Sequence, residues 1–230
     1  MTEQIPLSIH LNNQLTIDNF CWGDNAILQQ AVNKLLEGSE QFLYVWGEMG
    51  VGKSHLLQAC CQAENLNQRH AIYLPLHILK MTGPDCLEDL DHFHLIAIDD
   101  IDIIAGDPPW EEALFHLYNR VRDNQTTRLI ISAAVAPNLL TIQLPDLRSR
   151  LSWGLSLPIK PLSDEHKVAA IRKMAWCQGI DLPEKVAHFL MARTSRNMHD
   201  LAQHLHTLDR ASLAAKRKLT VPFVKQTLNL

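Results

Sequence analysis

The sequence lacks the usual signals of membrane insertion, secretion and bound zinc. None of its 230 residues lie in an uninterrupted apolar run approaching the ~18 residues that a transmembrane helix needs. The N-terminus has neither the basic start nor the apolar run of a signal peptide. The five cysteines (Cys21, Cys60, Cys61, Cys86 and Cys177) form no CxxC pair, and the 12 histidines form no H-E-x-x-H motif. We therefore predict a cytoplasmic protein with reduced thiols, no zinc site and no membrane contact.

Charge is scarce overall but unevenly distributed. The net charge is −4, and 47% of the residues are hydrophobic, which is enough for a packed core. Residues 1–160 carry 10 basic and 19 acidic side chains, whereas residues 161–230 carry 11 basic and 6 acidic ones. This change of sign predicts two units with different surroundings, meeting near residue 160.

Before residue 160, short apolar runs alternate with helical patterns. The runs are near-continuously apolar, as expected of strands buried on both faces of a parallel sheet. Alternation of strand and helix predicts an α/β fold with right-handed crossovers. The predicted strands are Phe42–Trp46, Ala71–Leu74, Leu95–Ile98, Leu129–Ser132 and Gly154–Leu157, and the predicted helices are Ala26–Glu37, Ser54–Glu64 and Trp110–Val121.

After residue 162 the strand signals fade and the pattern becomes helical. Helices are predicted over Asp164–Gln178 and Asn197–Lys216, with Pro183 in the first turn of the helix between them. Thr220 is predicted to cap a last short helix. The C-terminal segment therefore reads as a small all-α domain.

The strongest motif follows the first predicted strand and matches G-x-x-x-x-G-K-[ST]. Its glycines let successive backbone N–H groups point at phosphate oxygens, and the helix that follows adds its positive N-terminal end. In this motif Lys53 reaches the phosphates and the Ser54 hydroxyl ligates Mg²⁺. The residues are Gly47, Glu48, Met49, Gly50, Val51, Gly52, Lys53 and Ser54, and we add His55 to the predicted nucleotide site.

A second motif is the apolar strand that ends in Asp99 and Asp100. A carboxylate at the tip of a sheet beside a phosphate loop holds Mg²⁺, often through water. Asp99 is the predicted metal-side acid. Asp100 is predicted to orient or polarise an attacking water.

The sequences of these motifs resemble those of the DnaA-related branch of the AAA+ ATPases, and most of all those of the Hda family of regulators. GEMGVGKSHLLQA resembles the phosphate loop and helix of DnaA, and LIAIDDIDIIAG resembles its Mg²⁺-acid strand. LPDLRSRLSWGL resembles the arginine-finger segment, and TIDNFCWGDN resembles the segment near base and ribose. The resemblance implies an AAA+ core with a five-stranded parallel sheet over residues 15–160, a helical lid over 161–230, and a tail over 1–14.

The resemblance also implies a function and partners. Members of the Hda family bind the DNA polymerase sliding clamp (its beta subunit) and, with the clamp on DNA, stimulate hydrolysis of ATP held by DnaA, which represses re-initiation of replication. DNA would then be contacted only indirectly, through the clamp. Self-association is left open.

By the same resemblance, several residues acquire roles. Arg150 would act in trans as the arginine finger on the ATP of DnaA, with Arg148 as the alternative. Phe20 and Trp22 would lie near the base. The tail would bind the clamp as an extended peptide through Gln4, Ile5, Leu7 and Ile9.

Two departures from the family pattern bear on the cofactor. After the fourth strand only Ser132 is polar where relatives sense the γ-phosphate, and His199 stands where the lid carries a nucleotide-sensing arginine, with Arg196 as the alternative. Both weaken recognition of a third phosphate. We therefore expect a nucleoside diphosphate with Mg²⁺, ADP being the leading choice with the base left open, and weak hydrolysis by the chain itself.

Two other functions fit the same phosphate loop. One is a self-contained ATPase or small-molecule kinase, which would need an acceptor pocket. The other is a DNA-binding or helicase-loading ATPase, which the basic C-terminal segment keeps open. Against the latter, the total charge is acidic and no helix-turn-helix signature follows the predicted lid.

Overall fold

The computed structural model describes residues 11–194, 197–215 and 217–230. Within these ranges the strands are β1 (Phe42–Trp46), β2 (Ala71–Pro75), β3 (Leu95–Asp99), β4 (Arg128–Ala133) and β5 (Leu155–Pro158). The helices are α1 (Ala26–Glu37), α2 (Lys53–Leu66), α3 (Leu76–Leu79), α4 (Pro108–Asp123), α5 (Pro145–Leu151), α6 (Asp164–Cys177), α7 (Glu184–Arg193), α8 (Met198–Ala215) and α9 (Val221–Leu228). Short 3₁₀ turns cover Lys80–Thr82, Pro84–Leu87, Ile101–Ile104 and Pro137–Leu139.

The strands form one parallel sheet in the order β2-β3-β4-β1-β5. The order places β1 and β3, the strands that precede the two predicted site motifs, on either side of β4. Because all strands run the same way, the residues that follow β1 and β3 meet at one edge of the sheet. The predicted five-stranded parallel sheet is confirmed.

Both faces of the sheet are buried, which explains the near-continuous apolar runs. Along β1, Phe42 and Tyr44 pack in one hydrophobic cluster with α4 and α5, whereas Leu43 and Val45 pack in another with α1 and α2. Alternate side chains of a strand point to opposite faces, so a strand covered on both sides needs apolar residues at every position. The edge strand β5 differs, because its residues alternate between half-buried and exposed.

The residues after β5 form the predicted helical unit around a third cluster that includes Ile171, Leu190, Leu201 and Leu205. Thr220 caps α9 as predicted, and its side chain accepts a hydrogen bond from the backbone N–H of Phe223. Pro183 lies one residue before α7 instead of in its first turn. Its fixed φ of −60° still favours the entry into that helix.

The segment before α1 joins the two units. Asn12 accepts a hydrogen bond from Gln62 of α2, and its backbone N–H donates to Gln58 at 3.1 Å. On the other side, the Lys173 ammonium of α6 donates to the carbonyl of Asp18. No helix in the described part of the chain is both long and apolar enough to span a bilayer.

Candidate nucleotide site and arginine finger

The loop from Gly47 to Gly52 joins the end of β1 to the start of α2. Gly50 and Gly52 have φ angles of +83° and +104°, in the left-handed region that favours glycine. These two turns let the chain enter α2 with its first backbone N–H groups unpaired within the helix. The loop is therefore an anion-binding cradle at a helix N-terminus.

Lys53 puts a positive charge inside this loop. Its side chain is buried, and its ammonium donates to the carbonyls of Gly47 at 2.9 Å and Glu48 at 3.3 Å. These neutral carbonyls hold the ammonium inside the loop, where it faces an incoming anion. The loop, the helix end and Lys53 together suit a nucleotide phosphate group.

Asp99, at the end of β3, is fully buried and held by two hydroxyl groups. Its Oδ2 accepts a hydrogen bond from the Tyr73 hydroxyl at 2.6 Å, and its Oδ1 accepts one from the Ser132 hydroxyl. Tyr73 lies on β2 and Ser132 on β4, the two strands that flank β3. The carboxylate orientation is therefore set from both sides.

Asp100 follows in the left-handed conformation, with φ of 59° and ψ of 57°. Its backbone N–H donates to the Ser132 hydroxyl at 2.9 Å. Burial, and then the neighbouring charge of Asp99, raise the pKa of its carboxyl, while Lys53 acts in the opposite direction. A half-buried carboxyl with a raised pKa beside the predicted phosphate loop is a candidate functional group.

The oxygen donors here fit Mg²⁺ bound with a phosphate group. Ser54 lies in the first turn of α2, and its side chain and that of Gln58 lie close enough to the Tyr73 hydroxyl to lower its pKa against the raising effect of burial. The same hydroxyl donates a hydrogen bond to Asp99. A hydroxyl, a carboxylate, phosphate oxygens and water are the ligands Mg²⁺ prefers. No group of three or more His, Cys, Asp or Glu that would hold a metal by itself occurs in the described ranges.

On the side predicted for the base, aromatic rings pack behind the loop. Phe20 is 6% exposed and makes edge contacts with Trp22 at 4.7 Å and His55 at 5.2 Å between ring centroids. The Nε2 of His55 lies 3.3 Å from the carbonyl of Thr16, and burial lowers the pKa of its imidazole. The half-buried Trp22 presents more surface to a base than Phe20, which supports the loop from below at Gly52.

The C-terminal unit approaches the phosphate loop through Asn197. A side chain at Gly50 would bring its Cβ within 2.6 Å of the Asn197 Oδ1, so the lid amide contacts the loop directly. The predicted lid sensor falls outside this description, since neither Arg196 nor the side chain of His199 lies in the described residues. The predicted clamp-binding residues Gln4, Ile5, Leu7 and Ile9 also lie outside them.

Arg150 lies near the end of α5 and contacts α4 instead of the phosphate loop. Its guanidinium lies 4.0 Å from the Trp153 ring centroid and 5.5 Å from that of Phe115, and its Nε donates to the Asn119 Oδ1 at 3.3 Å. Among the described residues, no carboxylate forms an ion pair with it. Arg148, by contrast, donates to the carbonyl of Ile142 in its own loop.

Glu111 connects the two helices that carry this arginine and its contacts. The carboxylate is buried in α4 and accepts hydrogen bonds from the backbone N–H groups of Gly106, Gln143 and Leu144 at 2.7 to 3.1 Å. Leu144 immediately precedes α5. Glu111 therefore sets where α5 begins, and neither Glu111 nor Tyr73 was singled out from the sequence.

Two family models match this chain. Residues 11–158 match the bacterial DnaA ATPase domain, and residues 164–228 match the lid domain of Hda. The chain belongs to the DnaA-related AAA+ family. The AAA+ core with its helical lid, predicted from the sequence, is thus confirmed.

Related proteins agree with this assignment. An uncharacterized protein of Haemophilus influenzae is 41% identical over the whole of both chains. Domain III of DnaA from Thermotoga maritima has a TM-score of 0.82 at 22% identity, covering 96% of this chain and 98% of its own. DnaA bound to AMPPCP and single-stranded DNA has a TM-score of 0.71 at 22% identity, covering 86% of this chain and 66% of its own. At these identities the solved structures establish the fold.

Proposed function

We propose that this AAA+ protein is a regulator that holds a nucleotide and acts in trans on DnaA, stimulating hydrolysis of DnaA-bound ATP and so repressing re-initiation of replication. The observation that carries the proposal is the placement of Arg150. It is an arginine without a carboxylate partner among the described residues, held by aromatic rings, and none of its contacts belongs to the chain's own phosphate loop. The match of residues 164–228 to the Hda lid supports the regulatory reading.

The chemistry of Arg150 suits a γ-phosphate on a neighbouring molecule. A planar guanidinium donates to two phosphate oxygens at once and stays charged at every physiological pH. Trp153 and Phe115 restrict its direction without neutralising it, because ring faces attract a cation weakly compared with a carboxylate. At the ATP of DnaA it would stabilise the charge that develops in the transition state, an effect worth about 10³–10⁵ in rate for such fingers.

The chain's own nucleotide has a different role in this proposal. We propose ADP with Mg²⁺, bound by the phosphate loop, Lys53, Ser54 and Asp99. Ser132, the polar residue near the end of β4, is committed to Asp99 and to the backbone of Asp100. With both its bonds made inside the protein, it offers little to a third phosphate, which favours a diphosphate held stably over rapid turnover.

Clamp binding and the domain limits stay part of the proposal. The tail, residues 1–14, would place Gln4, Ile5, Leu7 and Ile9 in the sliding clamp, ahead of a core over 15–160 and a lid over 161–230. The described end of this tail packs on α2 through Asn12. A clamp held by the tail would then lie close to the nucleotide-binding core, as action on DnaA at a DNA-bound clamp requires.

The test is hydrolysis of DnaA-bound ATP in the presence of the loaded clamp, with the wild-type chain, Arg150→Ala and Arg148→Ala. We expect Arg150→Ala to lose stimulation while ADP affinity and clamp binding stay at wild-type values. Arg148→Ala is the matched control, two residues away on α5, and is expected to keep most of the stimulation. Equal stimulation by Arg150→Ala and wild type would refute the role in trans.

A second measurement separates a regulator from a self-contained ATPase. Titration calorimetry with ADP and ATP, together with turnover by the isolated chain, is expected to give diphosphate binding and slow hydrolysis. Brisk hydrolysis without DnaA would favour the self-contained enzyme. Replacing Gln4 and Leu7 with Ala is expected to abolish co-elution with the clamp, and retained co-elution would remove the tail from that role.

A further inference from the structure

Tyr73 occupies a position on β2 from which its hydroxyl reaches the tip of β3. The register pairs Tyr73 with Ala97 and Pro75 with Asp99, so Tyr73 and Asp99 point to the same face of the sheet. Tyr73 is 8% exposed, and its ring packs with the α2 cluster. The long tyrosine side chain carries its hydroxyl along the strand direction to Asp99, two positions beyond the residue with which Tyr73 pairs.

The hydroxyl of Tyr73 lies between the two residues assigned to Mg²⁺. It donates to the Oδ2 of Asp99 at 2.6 Å. The side chains of Ser54 and Gln58 lie near the same hydroxyl, within range to influence its pKa. Ser54 and Gln58 are four residues apart on α2, so they face the same side of that helix. The phenol thus connects the phosphate-loop helix to the buried carboxylate.

A buried hydroxyl must find a partner, so packing alone could explain these bonds. The choice of partners argues for more than packing. Two of the three neighbours, Asp99 and Ser54, are the residues proposed to hold Mg²⁺. The second oxygen of Asp99 is held by the Ser132 hydroxyl, so its carboxylate is fixed from both sides. Groups behind a metal ligand orient it and tune the affinity for the ion.

We infer that Tyr73 is a positioning residue for Mg²⁺, which holds Asp99 in register with Ser54 so that the ion binds together with a nucleoside diphosphate. The inference rests on the nucleotide-binding part of the proposed function and not on the action upon DnaA. Removing a group of this kind typically lowers metal affinity by about 10–100-fold. Binding of the nucleotide without the ion depends on the loop and Lys53 and should change little.

The experiment measures the affinity for ADP in Mg²⁺ and in EDTA, and takes the ratio of the two. For Tyr73→Phe we expect the affinity for ADP in EDTA to match that of the wild type. The ratio of the affinity in Mg²⁺ to the affinity in EDTA should fall about tenfold or more, approaching one as the benefit of the ion is lost. A packing role would instead leave the ratio unchanged. Failure of the wild type to bind ADP would overturn the proposed nucleotide site, whereas normal ADP binding with an unchanged ratio would overturn this inference alone.

Tyr44→Phe is the matched control. Tyr44 lies on β1, is 1% exposed, and donates to the carbonyl of Val135 at 2.9 Å, so it also loses one buried hydrogen bond. We expect a comparable loss of thermal stability but the wild-type Mg²⁺ ratio. A drop in this ratio equal to that of Tyr73→Phe would show that the effect is general destabilisation.

Two further variants test whether Tyr73 acts through Asp99. In an Asp99→Asn background, Tyr73→Phe is expected to add no further loss, because coupled residues are not additive. An additive loss would refute action through the carboxylate. If Tyr73→Phe does not fold, Ser132→Ala removes the other hydroxyl from Asp99 and is expected to lower the same ratio, and an unchanged ratio would count against hydroxyl positioning of Asp99.

Discussion

Replacing Glu64 with Gln tests the buried charge cluster that joins α2 to β4 and the end of α1. The Glu64 side chain is fully buried. Its carboxylate accepts from the Arg128 guanidinium at 2.7 Å and from that of Arg69 at 3.1 Å. Arg128 also donates to the carbonyls of Leu35 and Leu36, both at 2.8 Å, at the end of α1.

The size of the effect follows from what remains after the change. Breaking a buried ion pair on one side costs about 3–5 kcal/mol, because the remaining charge stays buried without compensation. Arg128 is 6% exposed in its side chain but keeps its carbonyl acceptors, and Arg69 is 37% exposed and reaches water. Both facts favour the lower end, about 3 kcal/mol, which for a chain of this size lowers Tm by about 6–12 °C.

The assay is urea and thermal unfolding, followed by circular dichroism, at low and high salt. The control is Glu112→Gln, because the Glu112 side chain is 71% exposed and its ion-pair partner among the described residues is His116, at 3.7 Å. We expect the control to stay within about 0.5 kcal/mol of wild type. The Glu64 effect should persist at high salt, since buried pairs are poorly screened. A loss below about 1 kcal/mol, or a loss that salt abolishes, would refute the reasoning.

Two more predictions concern the approach to the site. Glu111→Gln should lower the free energy of unfolding by about 1–3 kcal/mol, because a single amide oxygen cannot accept from the three backbone N–H groups that Glu111 satisfies. The variant should also stimulate DnaA less, because α5 would be displaced. Wild-type stability in urea unfolding would contradict this prediction. Gly50→Ala should destabilise the chain by about 1–2 kcal/mol from the left-handed backbone, with an added clash against Asn197. Adding Asn197→Ala to this variant should remove the clash but leave the backbone strain. If the stability losses of the two substitutions simply add, the lid amide does not contact the loop.

The site residues differ in how far the sequence alone could predict them. The phosphate loop was predictable because its chemistry depends on neighbouring backbone groups, and so its signal is local. Asp99 was predictable because a strand and its terminal acid are adjacent in sequence. Tyr73 and Glu111 were not, since Asp99 lies 26 residues from Tyr73, and Gln143, one of the three partners of Glu111, lies 32 residues from it. These bonds depend on strand register and on the course of the loops. A tyrosine inside an apolar strand is still a signal, because its hydroxyl needs a partner.

The aromatic residues predicted to lie near the base also show what the sequence could not predict. The resemblance put Phe20 and Trp22 near the base, and the structure buries Phe20 beneath Gly52 and leaves Trp22 half-exposed. No periodicity distinguishes these two aromatics, since they are two residues apart in an irregular segment. Contacts of this segment with α2 and α6 come from distant parts of the chain, as shown by Phe20 against His55 and by Asp18 bound to Lys173.

By itself the sequence determined the α/β core, the helical unit after it, and the glycine-rich loop predicted to receive a phosphate. Each of these follows from local rules of periodicity, burial and backbone freedom, which neighbouring residues express together. Tertiary structure alone decided which groups hold Asp99 and that Arg150 lies between Trp153 and Phe115, away from its own phosphate loop. Those contacts depend on strand order and helix packing, which bring distant residues within hydrogen-bonding range and leave no pattern along the chain.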